Sequence, residues 1–122
     1  MEPKILLVGK IGPIMAILRD ELNNNFSRDV ISASTKEEVE KIVASEAIDL
    51  VILGAGFDDA TRDDVALGIA SIKPDIEPFF VPRVGDKSPY KLIELTNSKA
   101  IEWKFMKVMG GKPGGRMGPP TD

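Results

Sequence analysis

Ala47-Ile48-Asp49-Leu50-Val51-Ile52-Leu53-Gly54-Ala55-Gly56 is the stretch whose reading decides the fold of this chain. Leu50 to Leu53 are apolar at consecutive positions, with β-branched Val51 and Ile52 in the middle, and the run stops at glycine. A strand with no polar alternation is covered on both faces, as strands of parallel sheets wrapped by helices are. Lys4-Ile5-Leu6-Leu7-Val8 repeats the pattern and also stops at a glycine, Gly9.

Helical periods fill the intervals between such strands. Gly12-Pro13 opens a helix with proline at its first position, where the missing N–H costs nothing. Ile14, Ile17, Leu18 and Leu22 follow at helical spacing, and Asn23-Asn24-Asn25 ends the helix. A short strand, Val30-Ile31-Ser32, comes next. Ser34-Thr35-Lys36-Glu37-Glu38 holds two overlapping capping boxes ahead of Val39, Ile42 and Val43. After the central strand, Asp58 or Asp59 is placed to cap a helix opened by Thr61-Arg62-Asp63-Asp64. Val65, Ile69 and Ile72 face inward from that helix, and Pro74 stops it. Ile76–Val81 is the fourth strand, with Pro78 and Pro82 fixing its limits. Strands alternating with helices predict an α/β fold, a doubly wound parallel sheet with right-handed crossovers.

The last third admits two readings. In the preferred one, Ser88 caps a short helix that starts at Pro89 and turns Tyr90, Leu92 and Ile93 inward. Ile101-Glu102-Trp103-Lys104-Phe105 then alternates as a fifth strand. In the other, Lys91–Leu95 is the strand and Ser98–Met109 a helix ended by Gly110-Gly111. Either way the unit, residues 1–109, is one helix short of five strand–helix pairs. Residues 110–122, with five glycines and three prolines, read as a flexible tail.

Composition excludes several kinds of chemistry. The chain has 122 residues, 43% hydrophobic and 29% charged, which suits one globular domain with a single core. It contains no cysteine, so there is no disulfide framework, thiolate nucleophile or cysteine-ligated metal. It contains no histidine either, removing the commonest general base. Ser88, Thr96 and Ser98 therefore lack a partner to activate them, and an enzyme is not expected. No apolar run approaches the ~20 residues that span a bilayer, and the start lacks a secretory layout, so a cytoplasmic protein is expected. Residues 1–82 carry 15 acidic and 8 basic side chains, whereas residues 83–116 carry 8 basic against Asp86, Glu94 and Glu102. A basic end suits an acidic partner. Without interleaved aromatics for base stacking, nucleic acid is not favoured.

The first strand, the helix at Gly12-Pro13, the segment Ala47–Leu53 and Trp103-Lys104-Phe105-Met106-Lys107 together resemble the receiver domains of response regulators. That resemblance covers roughly residues 3–108 and implies a flavodoxin-like sheet of about five strands. It also places Gly54 where the family carries its phosphoryl-accepting aspartate, and Gly9-Lys10 where it carries the acidic pair for magnesium. Lys107 maps to the functional lysine ending the fifth strand, followed here by Val108. The hydroxyl residue expected after the fourth strand is missing near Pro82 and Arg83. The chain is thus similar to a degenerate receiver, implying a non-phosphorylatable signalling module that acts through its surface, with no cofactor and no metal.

Two uses of such a scaffold are open. The first is protein interaction, self-association to a homodimer included, through Ile101, Trp103, Phe105, Lys107 and Val108, where the absent helix would leave a sheet face bare. The alternative is a small phosphate- or nucleotide-bearing ligand on a glycine lip of Gly9, Lys10, Gly12, Gly54 and Gly56.

Overall fold

The computed structural model describes residues 2–10, 13–83 and 88–110. β1 (Lys4–Val8), α1 (Pro13–Asn25), β2 (Asp29–Ala33), α2 (Lys36–Ser45), β3 (Leu50–Leu53), α3 (Asp59–Ile72), β4 (Phe79–Phe80) and α4 (Pro89–Val108) follow in order. The strands form one parallel sheet in the order β2-β1-β3-β4, with Leu6 of β1 paired to Ile31 and to Val51. This is the doubly wound arrangement that the strand patterns predict.

Alternate residues of the two central strands feed two cores. Leu6, Val8, Val51 and Leu53 pack with Val39 and Val43 of α2 and Val65 and Ile69 of α3. Ile5, Leu7 and Ile52 turn the other way, onto Leu18 and Leu22 of α1 and Ile93 and Ala100 of α4. Two helices therefore cover each face. Helix starts follow their caps: Thr35 and Glu38 make the reciprocal capping box of α2, and Asp58 accepts from the Thr61 N–H at 2.8 Å to start α3. Ile14 and Ile17 are exceptions to the inward stripe of α1, being exposed.

The sheet has four strands among the described residues: the preferred fifth strand at Ile101–Phe105 is absent, and of the alternative the helix over Ser98–Met109 holds while the strand at Lys91–Leu95 does not. Residues 89–108 form one continuous helix of 20 residues, with Pro89 at its first turn. Successive helical residues are about 100° apart, so Ile101 and Trp103 point to nearly opposite sides. Trp103 turns inward with Ala100 and Met106, while Ile101 and Phe105 turn outward. An alternating run thus becomes a helix that is apolar on two faces. α4 lies beside α1, and its Asn97 accepts from Arg28 Nε at 2.7 Å. It closes the face expected to be bare. Residues 111–122 lie outside the described residues.

Prolines explain why the sheet stops at β4. The Val81 N–H donates to Leu53 O at 2.9 Å, so the peptide groups of Phe79 and Val81 face β3. Residues of the opposite parity, Pro78, Phe80 and Pro82, present theirs to the free edge, and two of the three have no N–H to offer.

Candidate functional site

Ligands of this fold bind beyond the carboxyl ends of the strands, so the site is built from the residues that leave them. β1 ends at Gly9, whose N–H donates to Ala33 O at 3.1 Å, and β3 ends at Gly54, whose N–H donates to Val8 O at 2.8 Å. A Cβ at Gly54 would stand 3.1 Å from Val8 O. The backbone here leaves a side chain almost no room. A Cβ at Gly9 would meet the Met15 sulfur at 2.7 Å, so the Met15 thioether occupies the space above Gly9. The Lys10 stem runs past Gly56, 3.5 Å from where its Cβ would be. Gly12 lies outside the described residues. The lip is therefore packed with side chains on its β1 side.

The nearby carboxylates already have partners. Asp58 caps α3, and its hydrogen bond from Thr61 holds its carboxyl below the usual range, with Arg83 and Lys10 adding to the effect. Asp59 pairs with Arg83, which also donates to Phe57 O. No group of three or more carboxylates that could hold a metal ion is found among the described residues.

A buried arginine sits where the resemblance leads one to look for acids. Arg62, 5% exposed, sends Nη1 between the ends of β3 and β4, donating to Val81 O at 2.8 Å, with Leu53 O at 3.4 Å and Gly54 O at 3.5 Å. Its guanidinium lies 4.9 Å from the centroid of the Phe80 ring. None of the ion pairs among the described residues includes it, and its buried Nε has no partner. Burial first, then the Arg83 cation, pushes the Arg62 pKa down from its ordinary value. Sequence reading missed this residue. The signal was its phase, since Arg62 shares the inward face of α3 with Val65 and Ile69.

Two concavities flank these elements. One, of about 450 Å³, opens beyond the ends of β3 and β4, between Gly54 and Gly56, Val81 and Arg83, and Leu92 and Leu95 of α4. Gly54 and Gly56 thus line a cavity, but with β4 and α4 rather than with Gly9 and Lys10. The other, a shallow groove of about 530 Å³, runs between Phe26 and the outer side of α4 at Tyr90 and Ile101.

The residues expected at an interface divide by face. Ile101, Phe105 and Val108 are 60%, 55% and 83% exposed, and Tyr90 joins their stripe at 81%. Trp103 does not belong with them. It is 4% exposed, packed inside the chain, with the exposed Lys107 amine 5.3 Å from its ring centroid. A residue so enclosed offers a partner no surface, which corrects its expected role as an anchor.

No family model matches the sequence, and no curated protein is significantly similar to it. Among solved structures, the chain is similar to the signal receiver domain of a putative Luxo repressor protein from Vibrio parahaemolyticus. The TM-score is 0.57 at 16% identity, over 91% of this chain and 99% of that one. The likeness is one of fold: a receiver-like, flavodoxin-like α/β architecture.

Proposed function

We propose that this chain is a receiver-like signalling module that engages a protein partner, a second copy of itself first, through the outer face of α4, and that it is not an enzyme. The observation that carries the reading is the double-sided apolarity of α4. Its inner stripe is satisfied by the sheet, yet Tyr90, Ile101, Phe105 and Val108 form a second stripe along the solvent side. A helix of that kind is ordinarily covered on both faces.

The strand ends support a role without phosphoryl transfer. Gly54 supplies no nucleophile, Gly9-Lys10 supplies no acidic pair, and Asp58 and Asp59 are held by Thr61 and Arg83. No helix among the described residues is long and apolar enough to cross a membrane, which suits the cytoplasmic location we assign. Sedimentation equilibrium from low micromolar to millimolar protein tests the reading. A dimer is expected, and Phe105→Glu should abolish it while leaving the far-ultraviolet circular dichroism unchanged. A wild-type chain that stays monomeric throughout would overturn self-association.

A further inference from the structure

We propose that the cavity between the β3–α3 loop, the end of β4 and the first turns of α4 binds a small organic anion, one carboxylate or phosphate group carried on an apolar body. Its volume of about 450 Å³ lies within the ~300–1,000 Å³ range of small-molecule sites. Its walls combine the two halves of such a ligand. Val81, Leu92 and Leu95 give an apolar surface, while Gly54 and Gly56 contribute main chain to the lining. Arg83 and Lys91 stand at its rim.

The sign of the ligand follows from Arg62. Its guanidinium is buried directly behind two wall residues, bonded to Gly54 O and Val81 O, with no carboxylate in salt-bridge range among the described residues. Asp59 and Asp63 offset the Arg62 charge only from a distance, and a buried cation hydrogen-bonded to carbonyl oxygens alone acts at low effective dielectric, where its attraction for an anion is several times that in water. Burial and the adjacent Arg83 lower the Arg62 pKa, as expected when two guanidiniums share one region. Arg83 is held by Asp59, but that carboxylate is 82% exposed, and such surface pairs are weak and exchangeable. Lys91 pairs with Glu94 at 2.8 Å, across a similarly exposed contact. An incoming anion therefore meets one fixed cation behind the wall and two at the rim. The apolar walls disfavour a bare, fully hydrated ion.

Amide correlation spectra of the full ¹⁵N-labelled chain, titrated separately with octanoate, octyl phosphate, octanol and inorganic phosphate, test this assignment. Octanoate or octyl phosphate should shift the Gly54, Gly56, Leu92 and Leu95 amides saturably, and the tighter of the two identifies the head group. Octanol and inorganic phosphate should each bind at least about tenfold more weakly. Arg83→Gln, a change at the surface whose spectrum reports its own folding, should weaken the preferred ligand by about tenfold or more. Octanol binding as tightly as octanoate, inorganic phosphate as tightly as octyl phosphate, or shifts confined to Phe26 and Ile101 would overturn the proposal. So would the absence of saturable shifts with all four compounds at millimolar concentration.

Discussion

Gly54 shows how one residue sets what the strand ends can do. With 3.1 Å from its would-be Cβ to Val8 O, a larger residue must push backbone, the least compliant neighbour there is. Gly54→Asp is therefore expected to lower the melting temperature and still form no acid-labile phospho-adduct with acetyl phosphate and magnesium, read by intact mass. The carboxylate would arrive without acidic companions to hold the cation, and next to the Lys10 and Arg83 charges. Arg62 makes the converse case. Replacing it by Leu leaves Val81 O without its 2.8 Å donor and strips a cation from the Phe80 ring. A loss of about 2 kcal/mol or more is expected by urea denaturation. Arg62→Lys should not restore it, because an ammonium lacks the planar fork that spans the ends of two strands. Recovery of full stability in the lysine variant would show that charge alone suffices.

Elements explain which expectations survived. The four strands and first three helices were legible because each has one period and a clear cap or stop: consecutive apolar residues for β1 and β3, Thr35 and Asp58 for α2 and α3. α4 was legible only in the alternative reading, and there only from Ser98 on, because apolar residues on opposite sides of a helix imitate the alternation of a strand. β4 shrank from an expected six residues to Phe79–Phe80, the two that pair with Ile52 and Leu53 of β3. The two sides of α4 should respond oppositely to truncation. Trp103→Ala empties part of the core and is expected to cost about 3–5 kcal/mol. Phe105→Ala should change stability by no more than about 0.5 kcal/mol while weakening association. Equal losses in chemical denaturation would remove the distinction. The end of α4 is also tied down, since Glu2 meets Lys104 at 2.6 Å and Arg28 at 2.8 Å. The Lys104 hydrogen bond holds the Glu2 carboxyl below its ordinary value, with Arg28 adding to it. A depressed carboxyl pKa stabilises above the unfolded value, about 4.3, and that contribution is lost as pH falls through the lower folded value. Glu2→Gln should thus lower the melting temperature slightly at pH 7, with the difference from wild type vanishing in acid. A constant difference across the titration would assign the effect to packing.

At the scale of the whole molecule, the fold ends its sheet early and must protect the edge it leaves. Among the described residues, the four-stranded parallel sheet with helices on both faces has two open edges, at β2 and β4. An edge with a full row of free N–H and C=O groups recruits further strands, from another copy or from a partner. On β4 the outward positions are Pro78, Phe80 and Pro82, so a strand laid alongside would find one donor where three are needed. Side chains on either face of the edge are already engaged, Phe79 beneath the Lys99 amine at 4.4 Å and Phe80 beneath Arg62. The β4 edge therefore offers little to an added strand, which is compatible with the association we propose for α4. Restoring the donors should redirect it. The double variant Pro78→Val, Pro82→Val exposes N–H groups on both sides of Phe80 within an apolar, β-favouring run, the composition that promotes edge pairing. We expect that variant to fold, since the inward-facing groups of Phe79 and Val81 are untouched. It should form higher oligomers whose size grows with concentration, whose formation Phe105→Glu does not prevent, and which carry added β-sheet absorbance in the amide I band. If the double variant sediments as the wild type does and gains no such absorbance, the prolines are not what closes this edge.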